Sequence, residues 1–255
     1  MSEKMEQLLE LGLFTGTLLL GSGAEIYRVE NTIFHILSAC GAECVDCIAT
    51  PTGIFLSTHA YGYIGTRVRR IEQRSTNLGR VAAINTLSRS LVGNKNDPIA
   101  VLEQLQNIEQ TTDSNLVRLG PLAAAFGGTA FAALFGATGW ELPATALIAW
   151  LIFQSAALLQ HVDIPELLAN FIAGFLAASC ALALTLILPQ MPYDRVILGA
   201  IMSLVPGVLL TSGVRDVLAG DLLSGIVRTN EALFIAASIA AGVGAALGWW
   251  TKWIW

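Results

Sequence analysis

Apolar residues recur at helical spacing from the start of the chain. Leu8, Leu11, Leu18 and Leu19 predict a helix over 5–20. Ser22 followed three positions later by Glu25 reads as a capping box. Behind it, Ile26, Val29, Ile33, Ile36 and Leu37 predict a second helix over 23–40. Past Gly41 the texture changes. Cys44–Ala49, Gly53–Thr58 and Tyr61–Val68 predict three strands, the last two as a hairpin, with Thr50-Pro51-Thr52 as punctuation and glycines at bends or edges. Leu78, Val81, Ile84 and Leu91 predict a helix over 76–92. Asp97-Pro98 starts another that runs to about 110. The polar stretch Thr111–Asn115 reads as a linker.

After Arg118 the pattern becomes continuous rather than periodic. Five uncharged stretches follow: Leu119–Trp140, Leu142–Gln160, Leu167–Tyr193, Val196–Val214 and Ala232–Thr251. Each approaches the roughly 20 residues that cross a bilayer core as a helix. The expected spans are 119–139, 142–160, 167–188, 195–214 and 231–251. Their many Gly and Ala residues suit close packing between membrane helices. Trp249, Trp250, Trp253 and Trp255 suit an interfacial anchor. The fold class expected is an α-helical polytopic membrane domain (116–255) preceded by a small α+β cytoplasmic domain (1–115).

Charge sharpens this division. Only 13% of residues are charged, and residues 1–118 hold 22 of the 33 Lys, Arg, Asp and Glu. Neither part is basic enough for a nucleic-acid footprint. The start, Met1–Glu6, lacks the basic region of a secretory signal. The N-terminal domain is therefore expected in the cytoplasm, with inner loops at 161–166 and 215–231. Arg118, Arg215 and Arg228 then lie inside, against Arg195 and Lys252 outside, a small positive-inside bias.

Some chemistry is weakly supported. Cys40, Cys44 and Cys47 form a C-x3-C-x2-C cluster without a fourth ligand, and we read them as small, partly buried apolar residues. His35, His59 and His161 are scattered. No metal or cofactor is expected. No Walker loop indicates ATP-driven transport, and no glycine elbow presents a nucleophile.

Two regions carry candidate chemistry. Pro206-Gly207 falls inside the fourth apolar stretch, where proline removes a backbone donor and breaks or kinks a helix. Transporters use broken helices to hold charged substrates, although a packed kink needs no substrate. Downstream, Arg215, Asp216, Asp221 and Arg228 alternate with apolar residues, with Thr211, Ser212 and Ser224 as hydrogen-bonding groups. In a membrane such charges must pair or face a polar path. In a cytoplasmic loop they are simply solvated. In the N-terminal part, Glu25, Arg28 and Glu30 share two turns, and an i,i+3 ion pair on a solvated face accounts for Glu25 and Arg28. Thr50, Thr52 and Arg67 complete the candidate set.

These residues resemble the threonine/serine exporter family over nearly the whole chain. The likeness rests on Gly23-Ala24-Glu25-x-x-Arg28-Val29-Glu30, Thr50-Pro51-Thr52-Gly53-Ile54 and Thr66-Arg67 with Arg69. It continues in Pro206-Gly207 and Asp216-x-x-x-Gly220-Asp221-x-x-Ser224-Gly225-x-x-Arg228. The resemblance implies a cytoplasmic domain and five spans in a bacterial inner membrane. It implies the larger subunit of a two-chain form, partnered by a small multi-span membrane subunit. It also implies export of threonine and serine, or of succinate as in related two-subunit members.

Three readings follow. The first is a proton-coupled secondary exporter of small polar metabolites, with Asp216 and Asp221 for a proton or ammonium group and Arg215 or Arg228 for a carboxylate. The second is a membrane-anchored enzyme acting through the N-terminal domain. The third is a scaffold or sensor that does not itself transport.

Overall fold

A computed structural model describes residues 3–72, 75–93, 96–111, 119–160 and 164–254. Most of the expected linker, Arg118, His161 and Trp255 lie outside the described residues. The chain divides into two compact units: one combines the N-terminal residues up to Ser114 with Val208–Asn230, the other Asn115–Gly207 with Glu231–Trp255.

The first unit is built on α1 (Glu3–Gly21), whose leucines lie on more than one side. Met5, Leu8, Leu9, Leu11 and Leu19 have no exposed surface, so the helix runs through the core rather than along its edge. A Cβ at Gly12 would meet Leu56 at 2.6 Å and Leu37 at 2.9 Å, and one at Gly16 would meet Ile54 and Ile33. These two glycines, one turn apart, admit side chains of the sheet and of α2 (Ile26–Ala39). That helix is amphipathic and buries Ile26, Val29, Ile33, Ile36 and Leu37.

Strands β1 (Cys44–Thr50), β2 (Gly53–Ala60) and β3 (Tyr63–Arg70) form an antiparallel meander in that order. Tyr61 and Gly62 join β2 to β3 with φ of 55° and 76°, as a type I′ hairpin requires. One sheet face packs Ile54, Leu56 and Ala60 into the core, while the other exposes the cross-strand row Ile48, Phe55 and Val68. Helices α3 (Leu78–Ser90) and α4 (Pro98–Thr111) add Val81, Ile84, Val101 and Leu105 to the same core.

Two local expectations are corrected here. The Ser22–Glu25 capping box does not form: Glu25 itself is the N-cap of α2, and its side chain makes no capping bond. Cys44 is exposed rather than partly buried. Burial pushes the thiols of Cys40 and Cys47 up to about 11 and about 12, so neither is a reactive thiolate.

The second unit is helical: α5 (Gly120–Leu134), α6 (Glu141–Gln160), α7 (Glu166–Thr185), α8 (Tyr193–Ile201) and most of α10 (Leu222–Ile254). Small residues set its packing. A Cβ at Gly199 on α8 would lie 2.7 Å from the Gly128 carbonyl oxygen of α5, and one at Gly174 on α7 2.6 Å from the Ile239 carbonyl oxygen of α10. Gly242 meets the Phe171 carbonyl in the same way.

Among the described residues, Glu166–Thr185 and Leu222–Lys252 are long and apolar enough to cross a membrane, and Gly120–Leu134 and Glu141–Ala156 are shorter apolar helices. The fourth apolar stretch is not one helix: α8 ends at Ile201 and α9 (Gly207–Ala219) begins after Pro206. The expected inner segment 215–231 is not an irregular loop. It is helical on both sides of a turn at Gly220, whose φ of 99° suits glycine.

The glycine contacts predict a position-specific response. Gly242→Ala drives a methyl into backbone and should lower the thermal midpoint, at about 1–3 kcal/mol for overpacking. Gly244→Ala meets open space and should hold or raise the midpoint through better helix propensity. Thermal unfolding in detergent checks both.

Candidate functional site

Helix α2 begins with a difficulty. The N–H groups of its first turn have no partner within the helix and must find acceptors. Ser22 does not provide one: it has no exposed surface, and its buried Oγ makes no hydrogen bond. The acceptor comes instead from Asp216 of α9, whose Oδ1 receives the Ile26 N–H at 3.0 Å across 190 residues of sequence. A carboxylate in this place also answers the positive end of the helix dipole.

Asp216 is completely buried, so its charge needs compensation. Arg228, near the start of α10 and 5% exposed, supplies it. Its Nη1 lies 3.3 Å from Asp216 Oδ2, and its Nη2 donates to the Ala24 carbonyl oxygen at 2.7 Å. One guanidinium thus holds both the cap residue and the backbone leading into α2.

Glu25 closes the cluster from the other side. Its Oε1 accepts from Arg215 Nη1 at 2.9 Å, and its Oε2 pairs with Arg28 Nε at 2.8 Å. The expected i,i+3 pair therefore forms, but its face is not solvated, because Glu25 is buried at 7% exposure. Burial pushes the Glu25 carboxyl up. The Arg215 hydrogen bond and the charges of Arg28 and Arg215 outweigh that, and its pKa falls below the ordinary value.

The hairpin of α9 and α10 can present these charges because its helices touch through glycine. A Cβ on Gly225 would lie 2.7 Å from the Gly213 carbonyl oxygen and 2.8 Å from Val217 N. Ser212, Gly213 and Asp216 are buried on α9, and Ser224, Gly225 and Arg228 on α10. Each helix carries the same short pattern: serine, glycine, two residues, then a buried charge. Asp221 sits at the turn, half-buried, with its carbonyl accepting the Gly225 N–H at 2.9 Å.

Glu30, one turn into α2, accepts the Ala49 N–H of β1 at 2.8 Å. Burial, with the Asp221 charge adding to it, raises the Glu30 pKa above its ordinary value, although the Ala49 bond acts against this.

Thr50, Thr52 and Arg67 make their bonds elsewhere in the N-terminal unit. Thr50 Oγ1 donates to the Gly53 carbonyl oxygen at 3.2 Å, and the Thr52 carbonyl oxygen accepts the Ile71 N–H at 2.9 Å; both bonds tie the sheet's own turns. Arg67 of β3 pairs with Glu6 of α1. Thr211 is exposed and bonds the Val208 carbonyl oxygen, Pro206 is half-buried, and Gly207 is exposed. The Ala24 carbonyl and the Ile26 N–H are the functional groups that side-chain reasoning missed. The paired serine-glycine-charge pattern is the signal in the sequence that points toward their partners.

Two outcomes are expected. Asp216→Ala leaves Arg228 buried without its counter-charge and should cost about 3–5 kcal/mol of unfolding free energy, measured by denaturant unfolding. Asp216→Asn keeps an oxygen for Ile26 and should cost less. The second outcome concerns pH. A raised folded-state pKa means that ionised Glu30 opposes folding once pH climbs above its ordinary 4.5. Glu30→Gln should therefore unfold with the parent below that pH and at a higher temperature near neutrality; equal midpoints throughout would refute this.

Comparison with known proteins meets this geometry. Residues 10–250 match the family model described as "Putative threonine/serine exporter". The "Probable threonine/serine exporter" of Mycobacterium tuberculosis is 25% identical over 247 residues, covering 93% of this chain and 45% of that protein. The chain thus spans about half the length of the curated relative it matches. No solved structure matches it. The family model takes in α2, the sheet and the hairpin alike, and the chain belongs to the threonine/serine exporter family.

Proposed function

We propose that this chain is one half of a secondary exporter for small polar metabolites, of the threonine and serine type, in a bacterial inner membrane. The observation that carries the reading is the cluster of Glu25, Arg28, Arg215, Asp216 and Arg228. It places carboxylates and guanidiniums within one small region, the charge pattern that a zwitterionic amino acid complements.

In this reading the ion pairs are the resting state. The carboxylate of a substrate competes with Glu25 for Arg215, the most exposed of the guanidiniums. Its ammonium group competes for Asp216 or Asp221, and Ser212, Ser224 and Thr211 offer hydroxyls beside them. Exchange of internal for substrate ion pairs then loosens the hold of the hairpin on α2. A proton on Asp221 or Asp216 does the same by removing a charge, which supplies the coupling. The break at Pro206-Gly207 frees α9 from α8, so the hairpin is not held rigidly by a continuous helix.

Five spans after a cytoplasmic N-terminal part complete the reading, with 119–139, 142–160, 167–188, 195–214 and 231–251 crossing and the fourth crossing broken. A small multi-span membrane subunit is the partner in this reading. A succinate-type dicarboxylate is the alternative substrate, because the cluster holds three guanidiniums against two carboxylates.

Cells preloaded with labelled threonine, serine and succinate test this. Efflux of one of them should appear when this chain and the small subunit are expressed together. Asp221→Asn should abolish it while leaving expression and assembly intact. Unchanged efflux in that variant removes Asp221 from the mechanism, and no efflux from an assembled pair removes transport of these substrates.

A further inference from the structure

A second polar constellation lies within the helical unit, among residues that the export reading does not use. The turn between α5 and α6 and the segment between α7 and α8 line an open cleft of about 430 Å³. Its lining includes Thr138, Trp140, Glu141, Ile187, Leu188 and Gln190. Such a volume and a largely apolar wall with a few placed polar groups are what small-molecule sites share.

Glu141 is the informative residue. It is only 7% exposed, yet it lines this cavity. Its Oε2 accepts the Thr138 N–H at 3.1 Å, just before α6 begins. Arg195 Nη1 stands 3.7 Å from the same oxygen and is directed to the Gly136 carbonyl oxygen at 2.7 Å. Both contacts thus fall on Oε2, and among the described residues no hydrogen bond engages Oε1. A carboxylate whose two contacts, the Arg195 ion pair included, fall on one oxygen keeps the other able to accept from a cationic donor in the cavity it lines.

The other walls narrow the class. Trp140 is 74% exposed and next in sequence to Glu141, so its ring is open to a cation or to aliphatic hydrogens. The Gln190 side-chain amide offers a second acceptor, and Ile187 and Leu188 offer an aliphatic surface. We propose that this cavity binds a primary ammonium group, with Glu141 as its acceptor and Trp140 as its flank. The group has two sources, a small amine or amino acid in solution and the ethanolamine headgroup of a lipid.

Ethanolamine carries the shared chemistry and is the probe. The full chain, reconstituted in phosphatidylcholine nanodiscs, is equilibrated with labelled ethanolamine and the bound fraction measured. Saturable binding is expected. Glu141→Gln keeps an oxygen for Thr138 and should weaken binding about tenfold or more, as loss of a charged hydrogen bond does. Trp140→Leu, at an exposed position that folding does not depend on, should weaken it severalfold. Choline, which has no N–H, should not compete.

Discs containing phosphatidylethanolamine should abolish the signal if the headgroup is the natural occupant. Competition by threonine without such an effect assigns the solute. Asp221→Asn separates this cavity from the export cluster: binding lost in Glu141→Gln and kept in Asp221→Asn belongs to the cavity whatever becomes of the export reading, and binding lost only in Asp221→Asn overturns the proposal. No saturable binding in phosphatidylcholine discs overturns the proposal, as does parental affinity in Glu141→Gln.

Discussion

The first unfilled N–H of α2 is the constraint around which the N-terminal unit is arranged. A helix that starts deep in a protein cannot leave its first amides to water. Here the local sequence declines to cap it: Ser22 is buried without a hydrogen bond, and Glu25 is turned toward arginines. The cap is therefore delegated to Asp216, and a buried aspartate requires Arg228, which in turn requires the Ala24 carbonyl. Each step follows from the expense of burying a charge or a backbone dipole alone. The result joins two stretches of chain about 190 residues apart through groups that cannot be removed singly.

That arrangement is well suited to a part that moves. Interlocked ion pairs are strong only while geometry and desolvation hold, and a competing charged ligand offers equivalent partners. The glycine contact between Gly213 and Gly225 keeps the hairpin compact as one body. The interruption at 202–206 separates α9 from α8 along the chain. In the proposed export reading, the compact hairpin, the break in the helix before it and the ion pairs that hold it to α2 are the parts on which gating would act.

Much of the N-terminal unit was legible from periodicity. Leu8 to Leu19 and Ile26 to Leu37 announced two helices, and the turn residues announced the meander, because each pattern reflects one buried face. The capping box failed for a different reason. Spacing tells which residues are able to cap, but not that a distant aspartate competes for the place with a better-compensated charge. The sequence leaves 215–231 open between a loop and a re-entrant element, because its charges suit water and a polar membrane path alike. Burial against protein was the third environment, and only there does a helix carry Asp216 and Arg228 inward. The break at Pro206 was readable from proline alone. The Glu141 cavity was not, since it depends on two loops meeting across more than forty residues.

Hydrogen exchange at the Ile26 amide tests the delegated cap most directly. The informative variant is Gly225→Val, which forces the two hairpin helices apart without altering any residue of α2. The account predicts faster exchange at Ile26, while the amides of Ile33 and Leu56, held by the helix and sheet themselves, stay protected. Unchanged protection at Ile26 would contradict it, because the start of α2 would then be satisfied without the hairpin.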